Sequence, residues 1–517
     1  MRRVLTLPLL VLMSASRVLA WGPYTAQSPR LLVPDETVTS TSAALLWAKP
    51  KGEEAVDSFS VELDGMEVAQ VKTTDCTLDG LESNRDYAVR VIGRRNGRRI
   101  GLCGETRFKT RRMSRSLDIL DFGAKGDGET LDTEAFAAAI AACPPGGTVR
   151  VPRGVFKTGA IKLKSDMTLF LDEGCRIVGS TNLVDYPVTA YRAEGRELPR
   201  YASLIGNDFN GERLHDITIA GKGVIDASGK PLRMARDRQG VIPFPGSAIC
   251  LRNVDRLYLR GITVRHSPFW CVHLAYCENV SVNDVEIHSK FDEKGHRYGI
   301  LNGDGIDPDS CRHVAIFNSF IASQDDSIAV KSGRDEEGRK VGIPSEDIRI
   351  SNVRIVSGGG VAIGSEMSGG VRDVLVQDCE FGDDVYSLAC IKTTRSRGGV
   401  VENLLFENIR HRYLTGEGHD GLWCRGAICI DQFYACEKPD LAKPSEIGPG
   451  TAIIRNITFQ NVSVETVGGN AIYLAGMPER PLDNIRLKNV KATGKTGLVV
   501  HNVSNLDVGG LRTEDRE

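Results

Sequence analysis

Three aspartates in this sequence are spaced so that they could act together as acids and bases. Asp304 lies in the turn-like segment 302–305, and Asp325 and Asp326 follow it by 21 and 22 residues. If the chain folds as stacked coils, residues about one coil apart lie above one another, which would crowd the three carboxyl groups on one surface. An isolated Asp-Asp pair is more typical of a surface turn. Two acidic groups at this spacing favour a functional site.

Crowded carboxyl groups suit the cleavage of a glycosidic bond. Each raises the pKa of the others, so one stays protonated while another stays charged. A protonated acid can give its proton to the leaving oxygen, and a carboxylate on the other side can activate water. Separations of about 6.5–9.5 Å leave room for that water and imply inversion. These carboxyl groups could therefore supply both the acid and the base for glycoside hydrolysis, a reaction that needs neither a metal nor another cofactor.

A loose repeat predicts the scaffold for these residues. Its form is a polar residue, usually Asn or Asp, followed by alternating apolar residues, and most copies begin 26 to 37 residues apart. Each copy offers two short strands that cannot bury their apolar sides alone, so neighbouring copies must stack with rungs about 4.8 Å apart. The irregular spacing argues against a β-propeller, and the scarcity of helix after Pro144 argues against a (β/α)8 barrel. The copies begin at Asp216, Asn253, Asn279, His313, Asp347, Asp373, Asn403, Asn456 and Asn484.

The segment before the repeats has a different pattern of apolar and turn-forming residues. Residues 27–112 contain short alternating runs separated by turns, which predicts a small β-sandwich with Trp47 in its core. The run around Tyr87 resembles the fibronectin type III pattern, in which this tyrosine ties down a corner. We expect no chemistry from this module. A helix over 130–142 is predicted to cap the first coil of the domain that follows.

The N-terminus reads as an export signal. Residues 1–20 combine Arg2 and Arg3 with the apolar run 4–13 and small residues before Trp21. The apolar run is shorter than the roughly 20 residues that a membrane span needs. The sequence therefore predicts a secreted or periplasmic protein with no membrane span.

Composition excludes some partners. The 517 residues carry a formal net charge of -2, so no global field favours nucleic acid or an anionic membrane. The 13 cysteines lack the tight pairs of a zinc site, and most are predicted to be buried apolar residues. Cys424, Cys429 and Cys436 form the one cluster close enough in sequence to suggest a local disulfide. Composition leaves the oligomeric state undetermined.

Five segments together resemble one family: 267–270, 302–310, 324–333, 342–346 and 363–370. They are similar to polygalacturonases, glycoside hydrolase family 28, and particularly to bacterial exo-acting members. The resemblance implies an all-β fold, with a right-handed parallel β-helix over 117–510 behind the sandwich. It implies a substrate in pectic polysaccharide or oligogalacturonide, with no metal.

The resemblance also implies roles for individual residues. Asp325 is the expected general acid, and Asp304 and Asp326 are the carboxylates expected to activate water. Asn302 is expected to shape the same site. Lys392 falls on the family's R-I-K block and is the expected clamp for a galacturonate carboxylate. Lys331 follows the acid pair closely in sequence and is a second candidate for substrate binding.

Three positions depart from the family pattern. Gly303 replaces a threonine, Gly358 is assigned to the place of the family's histidine, and Cys390 replaces the arginine of R-I-K. The loss of the family's histidine and arginine indicates a different sugar beside the cleaved bond. One interpretation keeps galacturonan, with Lys392 supplying the charge. The other is a rhamnogalacturonan hydrolase of the same family with a neutral sugar on the leaving side, where an arginine fork would have no carboxylate to bind.

Two functions outside this reaction remain open at the sequence level. A pectate lyase shares the architecture but uses calcium, and an acidic cluster could imitate a calcium site. A pectin-binding solenoid without activity is the other. Retention of all three aspartates argues against the binder, because crowding carboxylates is costly and a protein that only binds a polyanion gains nothing from them.

Overall fold

The computed structural model describes residues 22–25, 31–50, 56–208, 211–240, 243–413 and 423–515. The predicted export signal lies outside these residues. The described chain is almost entirely β, with three α-helices at Thr133–Ala142, Gly229–Gln239 and Asp335–Val341. None of the described helices is both long enough and apolar enough to cross a membrane.

The N-terminal module is a sandwich of two antiparallel sheets. Trp47 is 1% exposed and packs against Phe59, with ring centroids 5.4 Å apart. The backbone N–H of Glu82 donates to the Tyr87 hydroxyl at 2.8 Å, which is the tyrosine corner that the sequence predicts. One sheet contains Leu31–Leu32, Ser42–Trp47 and Asp75–Asp79, and the other contains Met66–Val71, Ser58–Leu63, Asp86–Arg95 and Arg98–Lys109.

The rest of the chain winds into a right-handed parallel β-helix, which confirms the predicted fold. Its strands stack into three columns, here called the first, second and third sheets. The first sheet contains Ser116–Asp118, Gly147–Val151, Met167–Leu171, Leu214–Gly221, Val254–Arg260, Glu278–Asn283, Arg312–Phe317, Ser345–Ser351, Val371–Gln377, Val400–Tyr413, Ile453–Thr466, Leu482–Gly494 and Val503–Asp507.

The second and third sheets share some long strands. Phe320–Val330, Arg354–Gly364 and Glu380–Lys392 begin in the second and end in the third. The last three long strands of the first sheet continue into the second. The second sheet also contains Asp127–Leu131, Gly154–Thr158, Cys175–Gly179, Val224–Asp226, Thr263–Arg265, Glu286–His288 and Arg512–Asp515. The third also contains Ile161–Lys162, Ile205–Gly206, Ile249–Arg252, Val272–Ala275, Ile306–Asp309, Gly426–Asp431, Asn470–Ala475 and Thr496–His501.

The polar residue that opens each repeat has a structural cause. Asn403, Asn456 and Asn484 have φ of 59°, 57° and 53°, a left-handed conformation that asparagine tolerates. Their amides form a ladder between coils: Asn456 donates to Asn403 at 3.2 Å and Asn484 donates to Asn456 at 2.7 Å. The repeat therefore marks the same turn in every coil, and the alternating residues after it fill the interior.

The ends and edges of the β-helix carry the remaining elements. The capping helix begins at Thr133, three residues later than predicted, because Thr130 belongs to the strand Asp127–Leu131. Phe136 of this helix is buried against Phe156. An antiparallel hairpin, Val188–Ala193 with Arg196–Tyr201, is inserted between coils. Three short 3-10 helices lie at Asp35–Thr37, Ile119–Phe122 and Leu183–Asp185.

The N-terminal module packs on the outer face of the first sheet. The buried Arg349 guanidinium donates to the main-chain oxygens of Trp47 and Thr74, at 3.0 and 3.1 Å. The carboxylate of Asp347 accepts from the backbone of Tyr24 and Thr25. These buried polar contacts join the module to the β-helix, on a different sheet from the aspartate cluster.

Candidate active site

Strand register brings the predicted acids together. Ile306 and Ile328 pair as neighbours on adjacent coils of the third sheet, so Asp304 lies one rung from Asp326. The backbone N–H of Gly305 donates to the Asp326 carbonyl at 2.9 Å, which fixes this stacking. Asp325 lies beside Asp326, whose backbone N–H donates to the Asp325 carboxylate at 3.0 Å. The rung of 22 residues is therefore the one that the sequence predicts.

Two buried lysines enter the cluster from opposite sides. Lys392 Nζ lies 2.7 Å from Asp326 Oδ2, and Lys331 Nζ lies 3.6 Å from Asp304 Oδ2. The two lysines are 7% and 3% exposed. Burial by itself would lower their pKa values, but the surrounding carboxylates raise the pKa of both well above the ordinary range. Both lysines are therefore permanently charged, and Lys392 directly pairs with one member of the acid pair.

The carboxyl groups respond to burial and to one another. Burial, followed by the charge of Asp326, raises the pKa of Asp325. Burial together with Asp307 and Asp325 raises the pKa of Asp304 well above its ordinary value. Burial raises the pKa of Asp307 to about 7, against the opposing charges of Lys331 and His273. The cluster therefore holds protons near neutral pH, as acid catalysis requires.

The structure adds two acidic residues that the sequence analysis missed. Asp307 points outward from the strand Ile306–Asp309, and its Oδ1 lies 3.6 Å from Lys331 Nζ. Glu366 lies 3.4 Å from the same ammonium group. Successive side chains of a strand point to opposite faces, so Asp307, which follows the interior residue Ile306, could have been predicted to point out of the β-helix toward the acid cluster. Glu366 is brought in from the next coil, which local sequence does not reveal.

The position facing the acid pair is Gly359, which corrects the assignment of Gly358. A Cβ atom built on Gly359 would lie 2.9 Å from Asp326 Oδ1 and 2.8 Å from the Tyr386 hydroxyl. Gly358 has φ of +91° and packs its backbone against the Asp325 carbonyl. Tyr386 fills the space above Gly359, with its hydroxyl 3.5 Å from Asp326 Oδ1. A tyrosine from the next coil thus occupies the space that a side chain at position 359 would take.

The segment before Asp304 is a tight turn. A Cβ atom on Gly303 would lie 3.0 Å from Ser289 Oγ and 3.1 Å from Gln324 Cβ, so little space exists for a side chain there. Asn302 precedes it at φ of 59° and is half-buried. Its side chain makes no hydrogen bond to another described residue, which leaves its amide available to a ligand.

A pocket of about 730 Å³ opens beside the acid pair. Gln324, Gly358 and Tyr386 line it next to the aspartates. Arg297 lines it from the inserted loop; it is exposed and has no ion-pair partner among the described residues. Lys290 also lines the pocket and pairs with Asp384 at 2.6 Å. The pocket is thus a cleft that can accept an anion beside the acids.

Twelve of the thirteen cysteines are buried, which confirms the prediction for most of them, but the suggested disulfide differs from the structure. All thirteen are free thiols, so the disulfide suggested among Cys424, Cys429 and Cys436 is not formed. Cys436 is exposed, whereas Cys424 and Cys429 are buried beside Cys390. Cys390 and Cys429 meet because they occupy paired positions on adjacent coils of the third sheet, 39 residues apart in sequence.

The stacked coils and the buried acid pair place the protein among β-helical glycoside hydrolases. The family model for glycosyl hydrolases family 28 matches residues 147–509, and the fibronectin type III model matches residues 27–100. The chain belongs to glycosyl hydrolases family 28.

Known proteins similar to this chain extend along most of its length. The exo-poly-α-D-galacturonosidase of Dickeya chrysanthemi is 26% identical in an alignment 575 positions long. The alignment covers 95% of this chain and 92% of the relative. The family 28 exopolygalacturonase structure from Yersinia enterocolitica has a TM-score of 0.79 at 22% identity and covers 94% of this chain and 97% of its own. The structure of the hyperthermoactive exopolygalacturonase of Thermotoga maritima has a TM-score of 0.59 at 27% identity. The match covers 78% of this chain and 91% of the Thermotoga chain.

Proposed function

We propose that this protein hydrolyses α-glycosidic bonds of galacturonate-containing pectic polysaccharide from a chain end, with inversion. The observation that carries the proposal is the pairing of Lys392 with Asp326 at 2.7 Å next to Asp325, whose pKa burial raises. One carboxyl group thereby has a cationic partner, while burial favours the protonated form of its neighbour in sequence.

The two aspartates divide the chemistry. Asp325 gives its proton to the leaving glycosidic oxygen. Asp326, paired with Lys392 at 2.7 Å, accepts a proton from the attacking water, and Asp304 on the adjacent rung helps to hold that water. Water adds to the sugar carbon as the leaving oxygen departs, and no metal takes part.

A charged substrate explains the cations around the cleft. Arg297 has no partner among the described residues, so its guanidinium is free to form a bidentate pair with a galacturonate carboxylate. Lys392, the expected clamp for a second carboxylate, is 7% exposed and lies 2.7 Å from Asp326. Two permanently charged lysines inside the acidic cluster also oppose a divalent cation, which disfavours a calcium-dependent lyase.

The inserted hairpin supports action at a chain end. Its tip packs against the far side of the cluster, where the Arg334 N–H donates to the Gly195 carbonyl at 3.1 Å. A Cβ atom on Gly195 would lie 3.0 Å from Glu366 Cγ. The hairpin closes one side of the site. A site closed on one side receives the end of a polysaccharide chain more readily than an open groove does. The Dickeya, Yersinia and Thermotoga relatives are all named as exo-acting enzymes.

One observation favours a second candidate function. Cys390, at the position where the family pattern has arginine, is buried in an apolar cluster with Phe433, Tyr473 and Met477. The Cys390 side chain offers no charge to a carboxylate, so this position suits a neutral sugar on the leaving side. A rhamnogalacturonan hydrolase with the same acid pair is therefore the alternative.

We also propose that residues 1–20 direct export and are removed, on the basis of their basic start, apolar run and small residues. The intact mass of protein recovered from outside the cytoplasm tests this cleavage. A recovered chain that still begins at Met1 would contradict it.

Digestion of two polymers distinguishes the candidate functions. Homogalacturonan and rhamnogalacturonan I backbone are incubated in parallel, with and without a chelator, and the products are identified by mass. We expect short saturated galacturonates from homogalacturonan at the earliest times, equally with chelator, and none with the Asp325→Asn control. Cleavage of the second polymer alone would replace the proposal with the alternative. Unsaturated products that the chelator abolishes would instead indicate a lyase.

A further inference from the structure

Three cysteines converge on one point beside the active site. Cys390 and Cys429 are paired positions on adjacent coils of the third sheet, and Cys424 approaches from the segment before the strand Gly426–Asp431. The three Sγ atoms all lie within 4.8 Å of one another, and all three residues are buried. Lys392 is two residues along the strand from Cys390, so this thiol cluster borders the proposed catalytic groups.

Other buried cysteines in the β-helix behave differently. Cys277 and Cys311 each direct the thiol at a main-chain carbonyl of the preceding coil, to Leu251 at 3.5 Å and to Leu274 at 3.1 Å. Those thiols replace apolar ladder residues and have a local partner. At the third sheet, the side chains of three cysteines gather from two coils and a loop around one point. Cys424 also directs its thiol at a main-chain carbonyl, that of Gly426 at 3.2 Å.

A shared metal ion would engage all three thiols, whereas a disulfide would engage two of them and leave the third without a bond. Paired positions on neighbouring parallel strands lie about 4.8 Å apart, slightly beyond the Cβ separations of roughly 3.5–4.5 Å that a disulfide between Cys390 and Cys429 needs. Thiolates that bind one zinc ion lie about 3.8–4.0 Å apart, given Zn–S bonds of about 2.3 Å. Shifts of about 1 Å from the present separations reach that arrangement.

We propose that Cys390, Cys424 and Cys429 bind one thiophilic metal ion, with Zn²⁺ as the ion that fits the donor set. Three thiolates are ligands that select soft or borderline ions over calcium and magnesium. Binding releases the three thiol protons and ties the segment at Cys424 to the sheet that carries Lys392. This site is separate from the acid pair, so the proposal does not depend on the glycosidase activity.

The surroundings are compatible with such a site. Phe433, Tyr473 and Met477 pack around the thiols and give them an apolar setting, which strengthens metal–thiolate bonds. A zinc ion held by the three thiolates takes its fourth ligand from outside the trio. Three thiolates and a divalent ion leave one net negative charge. Lys392 and Arg425 are cations near this charge, and each also pairs with an aspartate, Asp326 and Asp431 respectively.

Cadmium titration of the full-length reduced protein tests the site. The protein is treated with a chelator and a thiol reductant, both are removed, and Cd²⁺ is added while the sulfur-to-metal absorption is followed. We expect one equivalent of Cd²⁺ per chain, displaced by excess Zn²⁺. Cys429→Ser and Cys424→Ser should each lose the absorption, whereas Cys436→Ser, the exposed cysteine of the same region, should keep it.

Measurements on the unaltered protein keep the test decisive if a variant does not fold. Absence of saturable Cd²⁺ absorption in the reduced wild-type protein would overturn the proposal. Mass mapping of the protein isolated without reductant provides the other decisive result. A disulfide between any two of the three cysteines in that material would overturn the metal site and assign the cluster to a covalent cross-link.

Discussion

Two groups of buried carboxylates in this protein are satisfied in opposite ways. At the junction with the N-terminal module, Asp347 accepts from the N–H groups of Tyr24 and Thr25, from the Thr25 hydroxyl at 2.7 Å and from His313 at 2.7 Å. In the acid cluster, Asp304 Oδ1 and both carboxylate oxygens of Asp307 have no hydrogen-bond partner among the described residues.

The difference separates a structural carboxylate from a functional one. Fixed hydrogen-bond donors offset the cost of burying the charge of Asp347, so this residue holds the segment 22–25, which precedes the sandwich, against the β-helix. The acid cluster leaves oxygens without donors and compensates the charge with lysines, one of them 3.6 Å away. That arrangement costs stability, and it leaves oxygens and protons free for a substrate and a water. Substitutions at the two places should therefore have opposite effects on stability and activity.

The largest effect is expected for Asp325→Asn. An amide cannot give a proton to the leaving oxygen, so kcat should fall by about 10³-fold or more. The melting temperature should stay equal or rise, because one of the mutually repelling carboxyl groups is gone. Initial rates on homogalacturonan and a thermal melt measure both quantities. Wild-type turnover in a folded variant would rule out the acid role of Asp325.

At the junction the reverse is expected for Asp347→Asn. Its amide group cannot accept from all the donors around it, and loss of charge-assisted hydrogen bonds should lower the free energy of unfolding by about 2–3 kcal/mol. Activity of the folded fraction should stay at the wild-type level, because the residue lies on the first sheet. Denaturant unfolding and kcat at low temperature check the two parts. A large loss of kcat with unchanged stability would erase the distinction between the two groups.

A smaller, pH-dependent effect is expected for Glu36→Gln, which sharpens the comparison. Glu36 accepts from Ser281 at 2.6 Å and from Tyr24 at 2.9 Å, and burial raises its pKa from 4.5 to about 7. The folded state thus favours the protonated form. The stability that protonated Glu36 contributes to the fold is fully present below the pKa of this residue in the unfolded chain. It is lost as pH rises through about 7, the pKa of Glu36 in the folded protein.

The glutamine variant should therefore lose less stability than the wild type between pH 5 and 8. The slopes should differ by at most about 1.4 kcal/mol per pH unit. Unfolding free energies measured across this range give the slopes. Parallel curves for the two proteins would show that Glu36 does not titrate at the junction.

Much of the site was predictable where it depends on local repetition. Asp304 and Asp326 are separated by one coil without an insertion, so their spacing in sequence equals their stacking in space. The tyrosine corner of Tyr87 and the asparagine ladder were predictable for the same reason, since each depends on a short pattern. The capping helix was predicted three residues too long at its start, because residues 127–131 pair with the neighbouring coil.

The parts that escaped prediction come from other coils. Tyr386 reaches Asp326 from 60 residues away, and its arrival identifies Gly359 as the facing position. The inserted loop before Asn302 suggests a substrate contact at Arg297 from sequence, but its path has no repeat to define it, so only the structure places Arg297 in the pocket. Cys390 meets Cys429 through the register of two coils separated by a long insertion, so neighbours in sequence such as Cys436 were misleading.

The sequence by itself determined the all-β solenoid, the module that precedes it and the aspartates that share a face, because side-chain alternation and rung length are local properties of the chain. The tertiary structure decided which cations neutralise those aspartates, which side chain fills the space beside them and where the cysteines gather. Those outcomes depend on how insertions of unequal length offset one coil against the next. That offset is set by packing across the whole β-helix, and no short segment encodes it.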